Sequence, residues 1–168
     1  DYTKLKWMNS QYIAAMDEKA YLEKALPYVE EVIHREADKK KIALMCKTRI
    51  EVFPDIREKV GFFEEVPEYE NELYRNKKAK CDEASSLSLL KEVLPVLEAC
   101  EPFDNDKLFE VLKAFGEEKG YKTNTIMWPL RTAMSGLPAT PGGATELMDV
   151  LGKEEALSRI RAAIDKLS

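Results

Sequence analysis

The chain has 168 residues, 45% of them hydrophobic, with only seven glycines and eight prolines. That suits one domain, or two small ones with real cores, and argues against disorder. Lys and Arg total 26 against 31 acids, a net charge of −5, which excludes a protein held by phosphates over its whole surface and requires any nucleic-acid role to use a local basic face.

From Asp1 to about Met16, Leu5, Met8, Tyr12 and Ile13 recur at helical spacing, with Asp1 or Thr3 as cap. Trp7 can pack on an adjoining domain or inside, and simple core packing is the ordinary expectation. The chain opens at Asp1 inside this helix start, which suggests a piece of a longer protein. Asp17 caps a second helix with Leu22 and Leu26 on one face. Pro27 breaks or kinks it, and Val29, Val32 and Ile33 continue beyond. His34 has no partner at metal-ligand spacing and receives no role.

Asp38 opens a third helix running through Lys39, Lys40 and Lys41 to Met45, Cys46 and Arg49, ended by Phe53-Pro54. With Arg35, Lys47, Arg57 and Lys59 this is the most basic neighbourhood of the chain. A solvated lysine face is the ordinary meaning of such a run. It also makes Lys39, Lys40, Lys41 and Lys47 the phosphate-contact candidates, and Arg49, beside Met45 and Cys46, can have a packed stem and an aimed guanidinium. Phe62-Phe63 anchors the next connection. Residues 64–74 are dense in carboxylates but lack the glycine-turned loop or histidine of a metal site, so they form a solvated acidic face. Residues 76–86 show no apolar period and serve as a linker, dividing the chain into 1–80 and 81–168.

Ser85 or Ser86 starts a helix with Leu87, Leu90, Val93, Leu94 and Leu97, kinked at Pro95. Asp104-Asn105 caps the next, which carries Leu108, Leu112 and Phe115 and ends at Gly120. Thr123 or Asn124 caps a short apolar helix containing one cation, Arg131, and ending at Gly136, a residue that accepts the left-handed backbone of a helix stop. The stiff turn Thr140-Pro141-Gly142-Gly143 leads to a helix stopped by Gly152, and Leu157, Ile160, Ile164 and Leu167 mark the last helix. No strand-like alternation of useful length occurs. The expected fold class is therefore all-α, a helical bundle of two small subdomains.

The odd cysteine count, Cys46, Cys81 and Cys100, lacks a C-x-x-C pair, so neither zinc nor a disulfide framework is expected and a cytoplasmic setting is the default. No apolar run has bilayer-spanning length, so no membrane partner is expected. A Walker-type loop, a dinucleotide fingerprint and a Ser-His-Asp set are all missing, so no catalytic and no metal residue is assigned. The stretch 127–143 departs from plain amphipathic helix. Its guanidinium, hydroxyl and helix-start amides suit anions or nucleobase edges, although a simple helix–loop–helix corner is the commoner outcome.

Pro129-Leu130-Arg131-x-Ala133-x-x-Gly136, then Thr140-Pro141-Gly142, Leu151-Gly152-Lys153-Glu154 and Arg159-Ile160, resemble the C-terminal signature of bacterial-type glutamyl-tRNA synthetases, class I aminoacyl-tRNA synthetases. Lys4-Leu5-x-Trp7-Met8-Asn9-x-x-Tyr12-Ile13 is similar to the segment after that family's catalytic signature loop. Together the matches bracket nearly the whole chain in the family's order. The resemblance implies an all-helical cage that reads the anticodon of glutamate tRNA, or of glutamine tRNA as well, as part of a monomer with its own N-terminal catalytic domain. The family's His-Ile-Gly-His and Lys-Met-Ser-Lys motifs are absent here. The chain alone is thus expected to be catalytically silent and to need no cofactor, with ATP and Mg belonging to the parent catalytic domain. The family's anticodon contacts fall on Arg49, Arg131, Thr140 and Pro141, while Gly143 and Ala144 stand where relatives often present a larger apolar residue. Two other classes fit parts of the pattern: the anticodon domain of class I lysyl-tRNA synthetases, and a non-catalytic helical adaptor using the acidic face.

Overall fold

Aspartate starts helix after helix. Asp1, Asp17, Asp38, Asp82 and Asp104 each accept a backbone N–H from the residue three positions on, satisfying a donor that a helix N-terminus otherwise leaves bare. In a computed structural model that describes every residue from Asp1 to Ser168, these caps open five of the α-helices of an all-α chain. Residues 1–65 and 66–168 form two compact units.

The first unit contains α1 (Tyr2–Ala15), α2 (Glu18–Val32), α3 (Lys39–Cys46), a 3-10 turn (Phe53–Asp55) and α4 (Ile56–Glu64). Its core is a stripe of α2, Tyr21, Ala25, Val29 and Ile33, meeting Ile42 and Cys46 of α3 and Ile56, Val60 and Phe63 of α4. The buried stripe lies one residue before the one that Leu22 and Leu26 suggest. Ala25 is small enough for neighbouring helices to approach, and Tyr21 can be buried because its hydroxyl donates to the Ala43 carbonyl at 2.6 Å. Burial also pushes the Tyr21 phenol far above its usual range. At the α2 exit, the backbone N–H groups of His34 and Arg35 donate to the Glu64 carboxylate, holding its pKa below the usual 4.5.

Only Ile13 of α1 is buried. Leu5, Met8 and Tyr12 are exposed and Trp7 is 60% exposed, so the expected core packing of Trp7 does not occur. The helix is held instead by polar contacts. The Asn9 amide donates to the Glu51 carbonyl, and the Lys47 ammonium donates to the Ala14 carbonyl.

Pro27 does not break α2, nor does Pro95 interrupt α5 (Glu83–Glu98). Both prolines and the residues four positions earlier, Glu23 and Lys91, are exposed, so water can take the carbonyl left without a partner. Pro129 is different because it is buried within α7 (Thr123–Ser135). The carbonyl it would orphan is that of Thr125, and the Cys81 thiol donates to it at 3.5 Å. Burial raises the Cys81 pKa from 9.0 to about 11, which keeps the thiol protonated as a donor.

The second unit adds a 3-10 turn (Asn71–Tyr74), a tight reversal closed by the Asn76–Cys81 bridge, α5, α6 (Asn105–Lys119), α7, α8 (Ala144–Leu151) and α9 (Lys153–Leu167). The compact units divide at Glu65–Val66, earlier than the 80–81 boundary drawn from sequence. Residues 66–81 are bound to the second unit by α7: Trp128 Nε1 donates to the Leu73 carbonyl at 3.1 Å and Thr125 Oγ1 to the Ala79 carbonyl at 2.7 Å. Residues 76–81 are thus no linker. Ala79 and Cys81 are buried, Ala79 N–H donates to Asn76 Oδ1 at 2.9 Å, and Lys80 takes a left-handed φ of 56°. Helix α5 begins after Asp82, with Ser85 in a reciprocal capping bond instead of starting the helix. Helix α7 begins after Lys122 with no side-chain cap, so neither Thr123 nor Asn124 plays that part.

Helix α7 is the centre of this unit, packed by α5, α6, α8, α9 and the 71–74 turn. Its buried Thr132 and Ser135 hydroxyls bond to the carbonyls of Trp128 and Arg131, each at 2.8 Å. Gly136 stops it with φ +63°, and a Cβ there would lie 2.7 Å from Tyr69 Cδ1 and 3.2 Å from the Pro67 carbonyl oxygen. Gly136→Ala is expected to cost about 2–4 kcal/mol, from the left-handed backbone and the clash together. Gly120→Ala supplies the control: Gly120 is also left-handed, but its Cβ would meet open space, so only about 1 kcal/mol should be lost. Thermal unfolding of the two variants separates these contributions. No helix is long and apolar enough to cross a membrane.

Candidate nucleic-acid interface

The apolar face of α7 is committed to the core, and its partly exposed face presents Asn124, Met127, Trp128 and Arg131 at helical spacing. Trp128 and Arg131 are three positions apart and so adjoin. The guanidinium lies over the indole, 4.9 Å from the ring centroid, a favourable cation–π arrangement. Trp128 is itself fixed by its bond to Leu73. Arg131 Nη2 donates to the Pro138 carbonyl at 2.7 Å, so the side chain is held flat and aimed while other guanidinium N–H groups remain for a ligand. Partial burial lowers the Arg131 pKa from its ordinary value, yet a guanidinium stays charged at any working pH.

Beside this pair is a cavity of about 530 Å³, lined also by Lys78, Asn105, Phe109, Asn124, Ala144 and Thr145. Its far wall is braced. Thr145 Oγ1 donates to Asn105 Oδ1 at 2.7 Å, while Asn105 N–H donates to Asp149 Oδ2 at 2.9 Å. The start of α6 is thereby locked to α8. Gly143 and Ala144 line the cavity as well, and their small size leaves it open. Aromatic faces, amide groups and a fixed guanidinium around a partly apolar cleft match the chemistry of an unstacked nucleobase.

The sequence-predicted residues fare differently. Arg131 is in the cavity wall. Thr140 is half-buried with its hydroxyl donating to the Gly142 carbonyl at 2.7 Å, and Pro141 and Gly142 are buried. That turn is closed on itself, so Thr140 has lone pairs to offer but its proton is engaged. Arg49 lies outside the third helix, which ends at Cys46. Its backbone N–H bonds to the Cys46 carbonyl in the following turn, and the residue is exposed. Lys40 and Lys41 are exposed and Lys39 half-buried. Lys47 closes the end of α1 through Ala14, with its ammonium 5.8 Å from the Tyr21 ring centroid, so one of its three N–H donors is engaged within the unit.

Sequence reasoning gave Trp128 and Phe109 no part in the site, took Asn105 only as part of a helix cap and named Arg159 only within the family signature. The Trp128–Arg131 spacing is a readable signal. Arg159 is buried in α9, where Nε donates to Glu155 Oε2 at 2.8 Å and Nη1 to the Met134 carbonyl at 2.5 Å. It therefore anchors the last turn of the helix that carries Arg131.

The second unit is thus an all-helical body with a cation-bearing cleft over its central helix. Residues 12–164 match the sequence model of the anticodon binding domain, and the chain belongs to that family. It is 48% identical over 168 residues to a glutamate–tRNA ligase of Lachnoclostridium phytofermentans, covering 100% of this chain and 34% of the relative. It is 47% identical over 167 residues to one of Clostridium botulinum, covering 99% and 34%. In structure it is similar to a glutamate tRNA ligase from Elizabethkingia meningosepticum solved in complex with its amino acid. The TM-score is 0.81 at 30% identity, over 97% of this chain and 32% of that one. The chain spans about a third of the length of these relatives.

Proposed function

We propose that this chain is the anticodon-reading part of a glutamate–tRNA ligase, and that it holds unstacked anticodon-loop bases in the cleft over α7. The observation that carries the reading is Arg131, stacked on Trp128 and pinned by the Pro138 carbonyl at the edge of the cavity. Loop bases can be splayed onto aromatic faces and read along their Watson–Crick edges, which a duplex hides. The ATP- and Mg-dependent chemistry belongs to a catalytic part outside these residues. The exposed apolar side of α1, with Leu5, Trp7 and Met8, suits contact with that part. Thr140 and Pro141 shape the turn behind Arg131, and Lys39, Lys40 and Lys41 supply diffuse attraction to the phosphates.

A filter-binding comparison of the chain with glutamate, glutamine and lysine tRNA transcripts tests this. Preference for the glutamate transcript is expected. Preference for lysine would favour the lysyl-type domain, and no binding at all would favour a protein adaptor.

Arg49 makes a sharper prediction. In this reading it faces the third anticodon base, C in glutamate tRNAs and G in glutamine tRNAs. Arginine offers only donors. Cytosine presents the acceptors O2 and N3, whereas guanine presents the donors N1–H and N2–H, so donor would oppose donor. Leaving such groups unpaired costs about 1–3 kcal/mol, roughly five- to over a hundred-fold in discrimination. Arg49→Gln, with a donor and an acceptor, should narrow that ratio without abolishing binding. An unchanged glutamate-to-glutamine ratio would make Arg49 a surface charge only.

A further inference from the structure

Phe109 is a large aromatic residue of α6 left 44% exposed, and it belongs to two cavities at once. With Met127 it lines the Arg131 cleft and also a neighbouring cavity of about 300 Å³. The floor of this second cavity is apolar, from Leu112 and Ile126. Both are buried beneath its surface, where Ile126 packs so closely on Gly116 that a Cβ there would come within 2.8 Å of Ile126 Cδ1, and Met127 and Tyr121 are its partly exposed apolar lining. Lys113 and Lys122 line it and are exposed, with Glu117 as the accompanying acid. Lys113 follows Phe109 by four positions, so ring and cation share one face of α6. Both cavities fall in the size range of small-ligand sites.

An exposed ring between two adjoining apolar hollows, with cations in the wall of each, repeats the alternation of single-stranded nucleic acid: base, ring, base, with phosphates alongside. We propose that the second cavity binds the nucleotide adjoining the one held beside Arg131, and that Phe109 stacks between the two bases. The chemical class is an unstacked nucleotide of single-stranded RNA, its base against Phe109, Met127 and Tyr121 and its phosphate toward Lys113 and Lys122. The assignment rests on the anticodon-reading function and extends the bound RNA by one residue. It also makes Phe109 a positioning residue for both bases.

The test uses the full chain and stem-loop RNAs bearing the glutamate anticodon, each with a single abasic site stepped across the loop. Phe109→Leu keeps an apolar side chain at an exposed position but removes the ring face. For the unsubstituted chain, abasic sites at two successive positions are expected to weaken binding about fivefold or more each, the scale of base–aromatic stacking. Phe109→Leu should reduce both penalties, whereas Arg131→Ala should reduce only one. If Phe109→Leu reduces one penalty or none while Arg131→Ala still weakens the intact stem-loop, the second cavity holds no base and the anticodon-reading function stands. If the unsubstituted chain does not bind the intact stem-loop, both fall together.

Discussion

Replacing Arg131 with alanine is expected to weaken binding of a glutamate-anticodon stem-loop roughly ten- to a hundred-fold, because two contributions vanish together. The first is hydrogen bonding from a fixed guanidinium to a base edge, where an unsatisfied partner costs about 1–3 kcal/mol. The second is preorganisation, since the stack on Trp128 and the bond to Pro138 hold the donors in place before RNA arrives. Arg131→Lys should restore little, because an ammonium keeps the charge but not the planar fork or the stacking. Fluorescence anisotropy on a labelled stem-loop measures all three proteins. Equal affinity of the arginine and alanine forms would reduce Arg131 to an exposed corner cation.

The largest stability effect is expected at Arg159. Its side chain is 4% exposed and bridges Glu155 to the Met134 carbonyl in the final turn of α7. Arg159→Ala leaves the helix-end carbonyl of Met134 without its donor and opens a hole where a long buried side chain packed, a loss of about 3–5 kcal/mol. Arg159→Met fills the space with an apolar chain and should lose less, because no hole is left, while Glu155, 29% exposed, can turn to water in either variant. Urea titration of both variants gives the difference directly. Equal stability of Arg159→Ala and the unsubstituted chain would mean that Arg159 does not brace α7.

Much of the architecture is legible in side-chain chemistry that acts locally. Asp1, Asp17, Asp38 and Asp104 cap as their types demand, and Gly120, Gly136 and Gly152 stop helices with positive φ. Features settled by a distant partner are not legible. Which face of α2 is buried depends on an acceptor for the Tyr21 hydroxyl, supplied by Ala43. The carbonyl that the buried Pro129 leaves without a helical partner finds its donor in Cys81, far away in sequence. Residues 66–81 read as acidic surface and linker because their few apolar side chains are scattered, and their attachment to α7 runs mainly through backbone carbonyls. The candidate site divides the same way. Arg131 is identified by its isolation in an apolar helix and by the family resemblance. Asn105 and Phe109 belong to another helix and join the cleft only when α6 packs on α8.

The exposed side of α1 has a consequence for how this chain comes apart. Apart from Ile13, the helix contributes nothing to the core of its unit, and its tethers at Asn9 and Lys47 act on its middle and its C-terminal end. The turns from Tyr2 to Met8 are left with their own backbone bonds and the Asp1 cap, which is too short a stretch to be stable as an isolated helix in water. With nothing docked on this face, these turns are expected to open first: their amide hydrogens should exchange with solvent well ahead of those of α2, and a protease that cleaves after aromatic residues should cut at Trp7 before Tyr21.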